Sequence, residues 1–154
     1  MPDIVDRKTR SRMMSGIRSK NTRPELMLRT ALHRLGFRYR LHGKLPGKPD
    51  LVFSRLHAVV FIHGCFWHCH DCHLFKWPSS RAEFWKTKIE GNRQRDSLSY
   101  SRLHKDGWRI LTVWECATRG KTRWNLDKLV AAAAEWLKSG TTDVEIKGRD
   151  DGAG

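Results

Sequence analysis

The chain has 154 residues, enough for one domain with a buried core, and its 30 Lys and Arg against 16 Asp and Glu give a net charge of +14. No stretch approaches the roughly 18 apolar residues of a membrane helix, and the first residues lack the apolar segment of a secretory signal. These features argue against a membrane-bound or exported protein and favour a polyanionic partner, above all nucleic acid.

The first predicted segment is a basic arm at residues 1–20. Within it, residues 6–20 surround a small apolar set, including Met14, with six basic side chains. Such a segment is too short and too polar to fold alone, so we expect it to lie on DNA. The methionines fit two roles, which the pattern does not separate: insertion between bases as apolar wedges, or docking on the core.

A helix is predicted from Thr22 to Gly36. Thr22 can cap its start, and Glu25 stands at the reciprocal position of a capping box, which explains this carboxylate without a catalytic role. Residues 37–41 alternate apolar and basic side chains, which predicts a strand with one wet face. Residues 42–49 are rich in Gly and Pro and are predicted to form a loop.

Two apolar runs at 51–53 and 58–62 predict a hairpin whose second strand is fully buried. A second capping box at residues 80–83 then predicts the start of a long helix that ends near residue 105.

A central strand at 108–114 and an amphipathic helix at 126–137 complete the predicted elements. Their order predicts an α/β domain, a mixed sheet flanked by helices, over residues 21–140. The polar residues 141–154 are expected to form a mobile tail.

Residues 61–73 hold three of the four cysteines and four of the eight histidines. With no export signal, we expect a cytoplasmic protein, in which clustered cysteines bind metal more often than they form disulfides. Spacing alone favours a structural zinc held by four thiolates. These are Cys65, Cys69, Cys72 and Cys116. Spacing does not decide whether Cys69, His70 or His73 is a ligand.

Asp50 begins one strand of the predicted hairpin, and His63 ends the other, with His68 five residues further on. An acid and a polar group so placed can face one pocket. A carboxylate together with a backbone carbonyl provides the oxygen ligands that Mg²⁺ prefers. Taken alone, however, Asp50 is more readily explained as a turn residue after Pro49.

Asp96 lies within the apolar stripe of the long predicted helix. An unpaired carboxylate among apolar side chains is costly, so Asp96 must find a cation or a hydrogen-bond donor. His63 or His68 would serve, and the carboxylate would orient the imidazole as a general base. The alternative is an ion pair with one of the many arginines.

Five motifs are best considered together: residues 9–11 with Met14, 46–50, 63–68, 83–85 and 108–116. They resemble the very short patch repair (Vsr) DNA mismatch endonucleases over about residues 6–138. The resemblance implies a restriction-endonuclease-like fold of the PD-(D/E)XK type with a structural zinc site. It implies a bacterial, nucleoid-associated enzyme that uses Mg²⁺ to nick one DNA strand next to a T:G mismatch. Such mismatches arise by deamination of 5-methylcytosine, and nicking initiates very short patch repair.

The resemblance also implies roles for individual residues. Asp50 and the main-chain carbonyl of Ile62 would bind Mg²⁺, and His68 would activate water with support from Asp96. His63 and Glu25 would be further active-site members, with Glu25 reaching a metal-bound water.

For zinc, the resemblance selects His70 over Cys69, against the preference from spacing. The implied ligands are Cys65, His70, Cys72 and Cys116. The implied wedge into the duplex consists of Phe66, Trp67 and Trp85, with Met14 entering from the other groove.

Two positions depart from the family pattern. Ile62 stands where a threonine is common, which is harmless if only its carbonyl binds Mg²⁺, and Cys69 stands where a histidine is familiar and would compete for zinc.

Two other functions remain open: a zinc-stabilised DNA-binding module without catalysis, and a nuclease of the same fold that cuts unmismatched DNA. A monomer fits nicking at an asymmetric mismatch, and mismatch-repair proteins are partners implied by family only.

Overall fold

A five-stranded mixed sheet forms the centre of the protein in a computed structural model that describes residues 23–42, 44–68 and 70–149. In spatial order the strands are β1 (Arg40–Leu41), β2 (Leu51–Phe53), β3 (Ala58–His63), β4 (Arg109–Trp114) and β5 (Val144–Ile146). The expected N-terminal arm with Met14, and Cys69, lie outside the described residues.

The strand register determines which side chains meet at the edge of the sheet. Strands β1, β2 and β3 pair antiparallel, which confirms the predicted hairpin, and β3, β4 and β5 pair parallel. The β3–β4 pairing is continuous and ends with His63 opposite Trp114. The residues that follow these two strands, the Cys/His segment and Cys116, are therefore delivered to the same edge.

In the part of the chain that the structure describes, three helices cover the sheet: α1 (Arg23–Arg34), α2 (Ala82–Lys105) and α3 (Leu126–Ser139). Leu32 of α1 and Leu137 of α3 belong to one buried cluster with Val60 and Leu111 of the central strands. Burial of such side chains contributes about 1.5–3 kcal/mol each. The predicted mixed sheet with flanking helices is confirmed.

The opposite face of the sheet packs against α2. Val59 and Phe61 alternate with Val60 along β3 and contact Leu103 of α2, because successive side chains of a strand point to opposite faces. His63 continues this alternation and so points to the face on which α2 carries Asp96.

Three local predictions were wrong. The expected strand 37–41 is reduced to Arg40–Leu41, because Phe37 and Tyr39 pack their rings edge-on against Phe53. The expected capping box at 80–83 does not form: α2 begins one residue late, and its N-cap is Arg81 in a left-handed conformation without a side-chain cap. Leu35 and Leu126 fall on the apolar faces predicted for the helices at 22–36 and 126–137, but they lie at the helix ends and are 58% and 40% exposed.

The expected tail from residue 141 is also wrong for its described part. Val144–Ile146 forms β5, and Ile146 is buried against the core. Beyond it, the amide of Gly148 donates to Cys116 Sγ at 3.1 Å, and the amide of Arg149 donates to the carbonyl of Thr122. Sheet pairing thus recruits a polar segment that shows no strand pattern of its own.

Within the described ranges, none of the three helices combines the length and the apolar character that crossing a membrane requires.

Candidate active site and metal centre

His68 and Asp96 form a hydrogen-bonded pair above the end of β3. His68 Nδ1 contacts Asp96 Oδ2, and both side chains remain partly exposed, at 21% and 29%. The Asp96 contact engages Nδ1 and leaves Nε2 of His68 to face a substrate or a water molecule. An imidazole whose far nitrogen is held by a carboxylate is suited to general-base chemistry.

His63 lies directly beneath this pair. Its ring stacks on the ring of His68, with centroids 3.8 Å apart and planes 5° from parallel. Burial lowers the pKa of His63 to about 3, and the neighbouring His68 acts in the same direction while Asp96 opposes both. His63 is therefore neutral at neutral pH. Its buried Nδ1 has no hydrogen-bond partner within the described ranges.

Asp50 is hydrogen-bonded to the same strand, β3, at Ile62, the residue that precedes His63. The amide of Ile62 donates to Asp50 Oδ2 at 2.7 Å, and the Asp50 side chain is buried. Burial raises the pKa of Asp50 to about 7; the bond from Ile62 opposes this shift and nearby Glu25 adds to it. Consecutive residues, Ile62 and His63, thus connect Asp50 to the His68–Asp96 pair.

Close packing of the loop before β2 helps to place Asp50. Gly47 has a φ of +78°, and a Cβ there would lie 2.9 Å from Cβ of Ser99 on α2. Only glycine accepts this backbone and this close approach without a shift of the helix. The Pro-Gly-Lys-Pro sequence therefore brings the loop against α2 immediately before the acid.

Glu25 enters the site from α1 and is almost fully buried. Its Oε2 accepts from Arg29 Nη1 at 2.7 Å and lies 2.8 Å from His42 Nε2. One ligand atom each of Glu25, His42 and Asp50 lie within 4.8 Å of one another. The capping partner expected for Glu25, Thr22, lies outside the described residues.

Sequence reasoning missed His42, which was assigned only to a loop. The β1–β2 pairing places it beside Asp50, with its amide donating to the carbonyl of Asp50 at 2.9 Å. A histidine directly after a short edge strand gives no local signal. Only its position across from an acidic residue on the paired strand could have pointed to it.

The structure brings together the four zinc ligands that the resemblance implies. Cys65, His70, Cys72 and Cys116 each offer a ligand atom within 4.8 Å of the others. His70 Nδ1 lies 3.5 Å from both Cys65 Sγ and Cys116 Sγ. Tetrahedral zinc, with bonds of about 2.3 Å to sulfur and about 2.0–2.1 Å to nitrogen, requires a sulfur–nitrogen separation of about 3.5 Å. The donor set therefore fits zinc.

Neighbouring groups hold these ligands in place. The amide of Cys116 donates to Cys65 Sγ, and the amide of Cys65 donates to Glu115 Oε1. The ring of His70 stacks on Trp114 at 4.1 Å. Burial raises the pKa of both Cys65 and Cys116, so a metal must displace protons from these thiols as it binds.

The aromatic side chains expected to contact DNA form one partly exposed cluster. The rings of Phe66, Trp67 and Trp85 lie 5.1–5.8 Å from one another, and Asn92 donates to the carbonyl of Trp67. The cluster is wider than expected, because Phe84 and Trp77, which were not singled out, are 46% and 51% exposed beside it. Met14, expected to act opposite this cluster, lies outside the described residues.

Known DNA endonucleases are similar to this chain. The family model "DNA mismatch endonuclease Vsr" matches residues 2–74. The chain is 44% identical to the DNA mismatch endonuclease Vsr of Escherichia coli K12 over 138 residues, which covers 89% of this chain and 88% of that protein. It is 48% identical to the type II nicking enzyme V.XorIIP of Xanthomonas oryzae pv. oryzae, covering 75% and 86%. It is also 44% identical to the type II nicking enzyme V.NmeAIP of Neisseria meningitidis, covering 84% and 95%.

Proposed function

The chain belongs to the Vsr family of DNA mismatch endonucleases and is a DNA-nicking enzyme, and on this premise we propose that it nicks one strand of duplex DNA next to a T:G mismatch, using Mg²⁺. The observation that carries the proposal is the junction at the end of β3. Ile62 binds Asp50 there, and His63 stacks on His68. A cation-binding acid and a candidate base thus converge on adjacent residues of one strand.

The fold we propose is restriction-endonuclease-like. An antiparallel hairpin followed by a parallel crossover through α2 supports this assignment. The nuclease domain would cover residues 21–140 with β5 added to its sheet, and residues 1–20 would form the DNA-binding arm.

Asp50 and the main-chain carbonyl of Ile62 are the proposed Mg²⁺ ligands, because both offer hard oxygen atoms. When bound, Mg²⁺ would stabilise the negative charge that develops on the phosphodiester. Glu25, held by Arg29, would orient a water of the cation's hydration shell. The buried position of Asp50 and Glu25 would limit competing water at the reacting phosphate.

His68 is the proposed base. Its Nε2 would accept a proton from the attacking water, while Asp96 holds Nδ1 and stabilises the imidazolium that forms. His63, neutral and stacked beneath, would fix the plane of the His68 ring. Attack by this water on phosphorus would break the P–O3′ bond, which leaves a 5′-phosphate, and the 3′-oxygen would take a proton from solvent to give a 3′-hydroxyl.

Three further proposals concern the zinc site, the contact with DNA and the state in which the protein acts. The zinc held by Cys65, His70, Cys72 and Cys116 would be structural, since all four positions are filled by protein. Phe66, Trp67 and Trp85, with Met14 of the arm, would enter the duplex beside the mismatch, where stacking is worth about 1–3 kcal/mol per base. The protein would act as a monomer on bacterial DNA in the cytoplasm, with mismatch-repair proteins as partners.

A nicking assay on matched duplexes tests the proposed function. Duplexes of one sequence that contain T:G, T:A or C:G at a single position are incubated with and without Mg²⁺. We expect strand-specific nicking of the T:G duplex only when Mg²⁺ is present. Equal cleavage of the C:G duplex would favour a nuclease of unmismatched DNA, and binding without any cleavage would favour a DNA-binding module.

The His68–Asp96 pair gives a separate prediction. His68→Gln should lower the single-turnover nicking rate about 10²–10⁴-fold, because general-base catalysis is lost. Asp96→Asn should cause a smaller loss. Adding Asp96→Asn to His68→Gln should cause little further loss, because Asp96 acts through His68.

The exposed Asp127 provides the control, and Asp127→Asn should leave the rate unchanged. If the losses from His68→Gln and Asp96→Asn simply multiply in the double variant, the two residues act independently, and the pair is not the base.

A further inference from the structure

One potential ligand beside Asp50 has no role in the proposed function. Glu25, His42 and Asp50 each offer a ligand atom, and these atoms lie within 4.8 Å of one another. The proposed function assigns Asp50 to the cation and Glu25 to a water molecule. It assigns nothing to the imidazole of His42.

His42 is held firmly in this position. It follows β1 with a φ of 48°, a left-handed conformation that is uncommon for residues other than glycine. Its amide donates to the carbonyl of Asp50, so the backbones of His42 and Asp50 are joined. The side chain is therefore directed by the backbone of the acid that the cation would bind.

The separation of the side-chain atoms suits a shared cation. A ring nitrogen of His42 and a carboxylate oxygen of Asp50 lie within 4.8 Å of each other. Two ligands of a six-coordinate cation with bonds of about 2.1 Å are about 3 Å apart when adjacent and about 4.2 Å apart when opposite. His42 Nε2 now hydrogen-bonds Glu25 Oε2 at 2.8 Å, so a cation would take the lone pair of Nε2 in place of this bond, with the ring proton on Nδ1.

The charges at the site also favour a divalent cation. Glu25 and Asp50 are 1% and 6% exposed, so two carboxylates share a buried space. Arg29 Nη1 donates to Glu25 Oε2 at 2.7 Å. The ring nitrogen of His42 completes a group of three ligand atoms around this space.

We propose that His42 is a direct ligand of the divalent cation bound by Asp50, which makes this a mixed imidazole–carboxylate site. The proposal rests on the proposed function, because it takes Asp50 as the cation ligand. Imidazole nitrogen adds affinity for first-row transition ions, whereas Mg²⁺ strongly favours oxygen. The site therefore binds Mn²⁺ more tightly than Mg²⁺.

Binding of Mn²⁺ to the full-length protein without DNA tests the proposal. Titration followed by electron paramagnetic resonance gives the Mn²⁺ affinity, and competition gives that of Mg²⁺. Pulsed measurements detect a nitrogen bound directly to Mn²⁺. We expect a ¹⁴N coupling in the parent protein that becomes a ¹⁵N coupling when its histidines are ¹⁵N-labelled. This measurement requires no substitution and so does not depend on the folding of a variant.

Two substitutions identify the histidine. His42→Gln should remove the nitrogen coupling and weaken Mn²⁺ binding about tenfold or more, while Mg²⁺ binding changes less than about threefold. His42→Asn is the second variant, in case glutamine disturbs the β1–β2 edge. His68→Gln is the matched control, because His68 belongs to the neighbouring His63–His68–Asp96 group, and it should retain the coupling.

Several outcomes would overturn the proposal. The first is a nitrogen coupling to Mn²⁺ that persists in the His42 variants but disappears in His68→Gln. The second is a Mn²⁺ affinity that is unchanged in both His42→Gln and His42→Asn. The third is the absence of a nitrogen coupling in the parent protein. If Asp50→Asn binds Mn²⁺ like the parent, the assignment of Asp50 fails as well. Nicking of the T:G duplex in Mg²⁺ separates the two failures, since the proposed function survives if nicking depends on Asp50 but no histidine nitrogen binds the cation.

Discussion

Asp50→Asn is expected to reduce Mg²⁺-dependent strand nicking by about 1,000-fold or more, while affinity for T:G duplex changes less than about threefold. A cation at a phosphodiester stabilises the transition state by several kcal/mol, and each 1.36 kcal/mol is a factor of ten in rate. Asparagine retains an oxygen that accepts the bond from the amide of Ile62, so the local structure should persist. The measurement is single-turnover nicking together with equilibrium DNA binding in Ca²⁺.

Stability should distinguish this loss from unfolding. The pKa of Asp50 is raised from 3.8 to about 7 by burial. The folded protein therefore holds this proton more tightly than the unfolded chain, and the Mg²⁺-free protein loses stability as pH rises from below 4 through 7. Asparagine carries no such charge. At pH 8 without Mg²⁺ but with zinc retained, Asp50→Asn should melt at or above the temperature of the parent, and at pH 4 the difference should shrink.

Asp127→Asn, on an exposed carboxylate at the start of α3, is the matched control and should retain full nicking. Nicking by Asp50→Asn at the parent rate, with the same Mg²⁺ dependence, would remove Asp50 from the mechanism. Loss of DNA binding in parallel with nicking would instead assign Asp50 a role in holding the duplex.

Cys116→Ser is expected to release the proposed structural zinc and to destabilise the protein by about 4 kcal/mol or more. This loss should lower the melting temperature by roughly 10 °C or more. Cys116 and Cys65 are 1% and 0% exposed and connect the end of β4 to the turn after β3. The same turn carries His68, so nicking should fall as well. Serine is close to cysteine in volume, which keeps packing changes small.

Zinc content per chain and thermal melting measure the effect, and Cys69→Ser is the control. If His70 is the fourth ligand, Cys69→Ser should keep one zinc and the melting temperature of the parent. If the four-thiolate set favoured by spacing is correct, Cys69→Ser should lose zinc and His70→Ala should retain it. A full complement of zinc in Cys116→Ser would contradict both sets.

The sequence by itself determined the features that short patterns encode. The apolar runs of β2 and β3 predicted a hairpin, because a buried strand requires consecutive apolar residues. The 3.6-residue periodicity predicted α2 with Asp96 in its apolar stripe, and the density of Cys and His predicted a metal centre. The motifs at 46–50 and 63–68 were specific enough to identify the family, which the E. coli and Xanthomonas relatives confirm.

The tertiary structure alone decided which distant residues meet. The β1–β2 register brings His42 to Asp50 and Glu25, although 17 residues separate His42 from Glu25 in the chain. The parallel β3–β4 register places Trp114 beneath His70, and β4 recruits Val144–Ile146 from a polar segment. These contacts depend on strand order and register, which arise from packing of the whole core. Local residue patterns do not predict these contacts. Backbone pairing and register determine which side chains lie next to each other across a sheet, and residues adjacent in sequence do not determine that register.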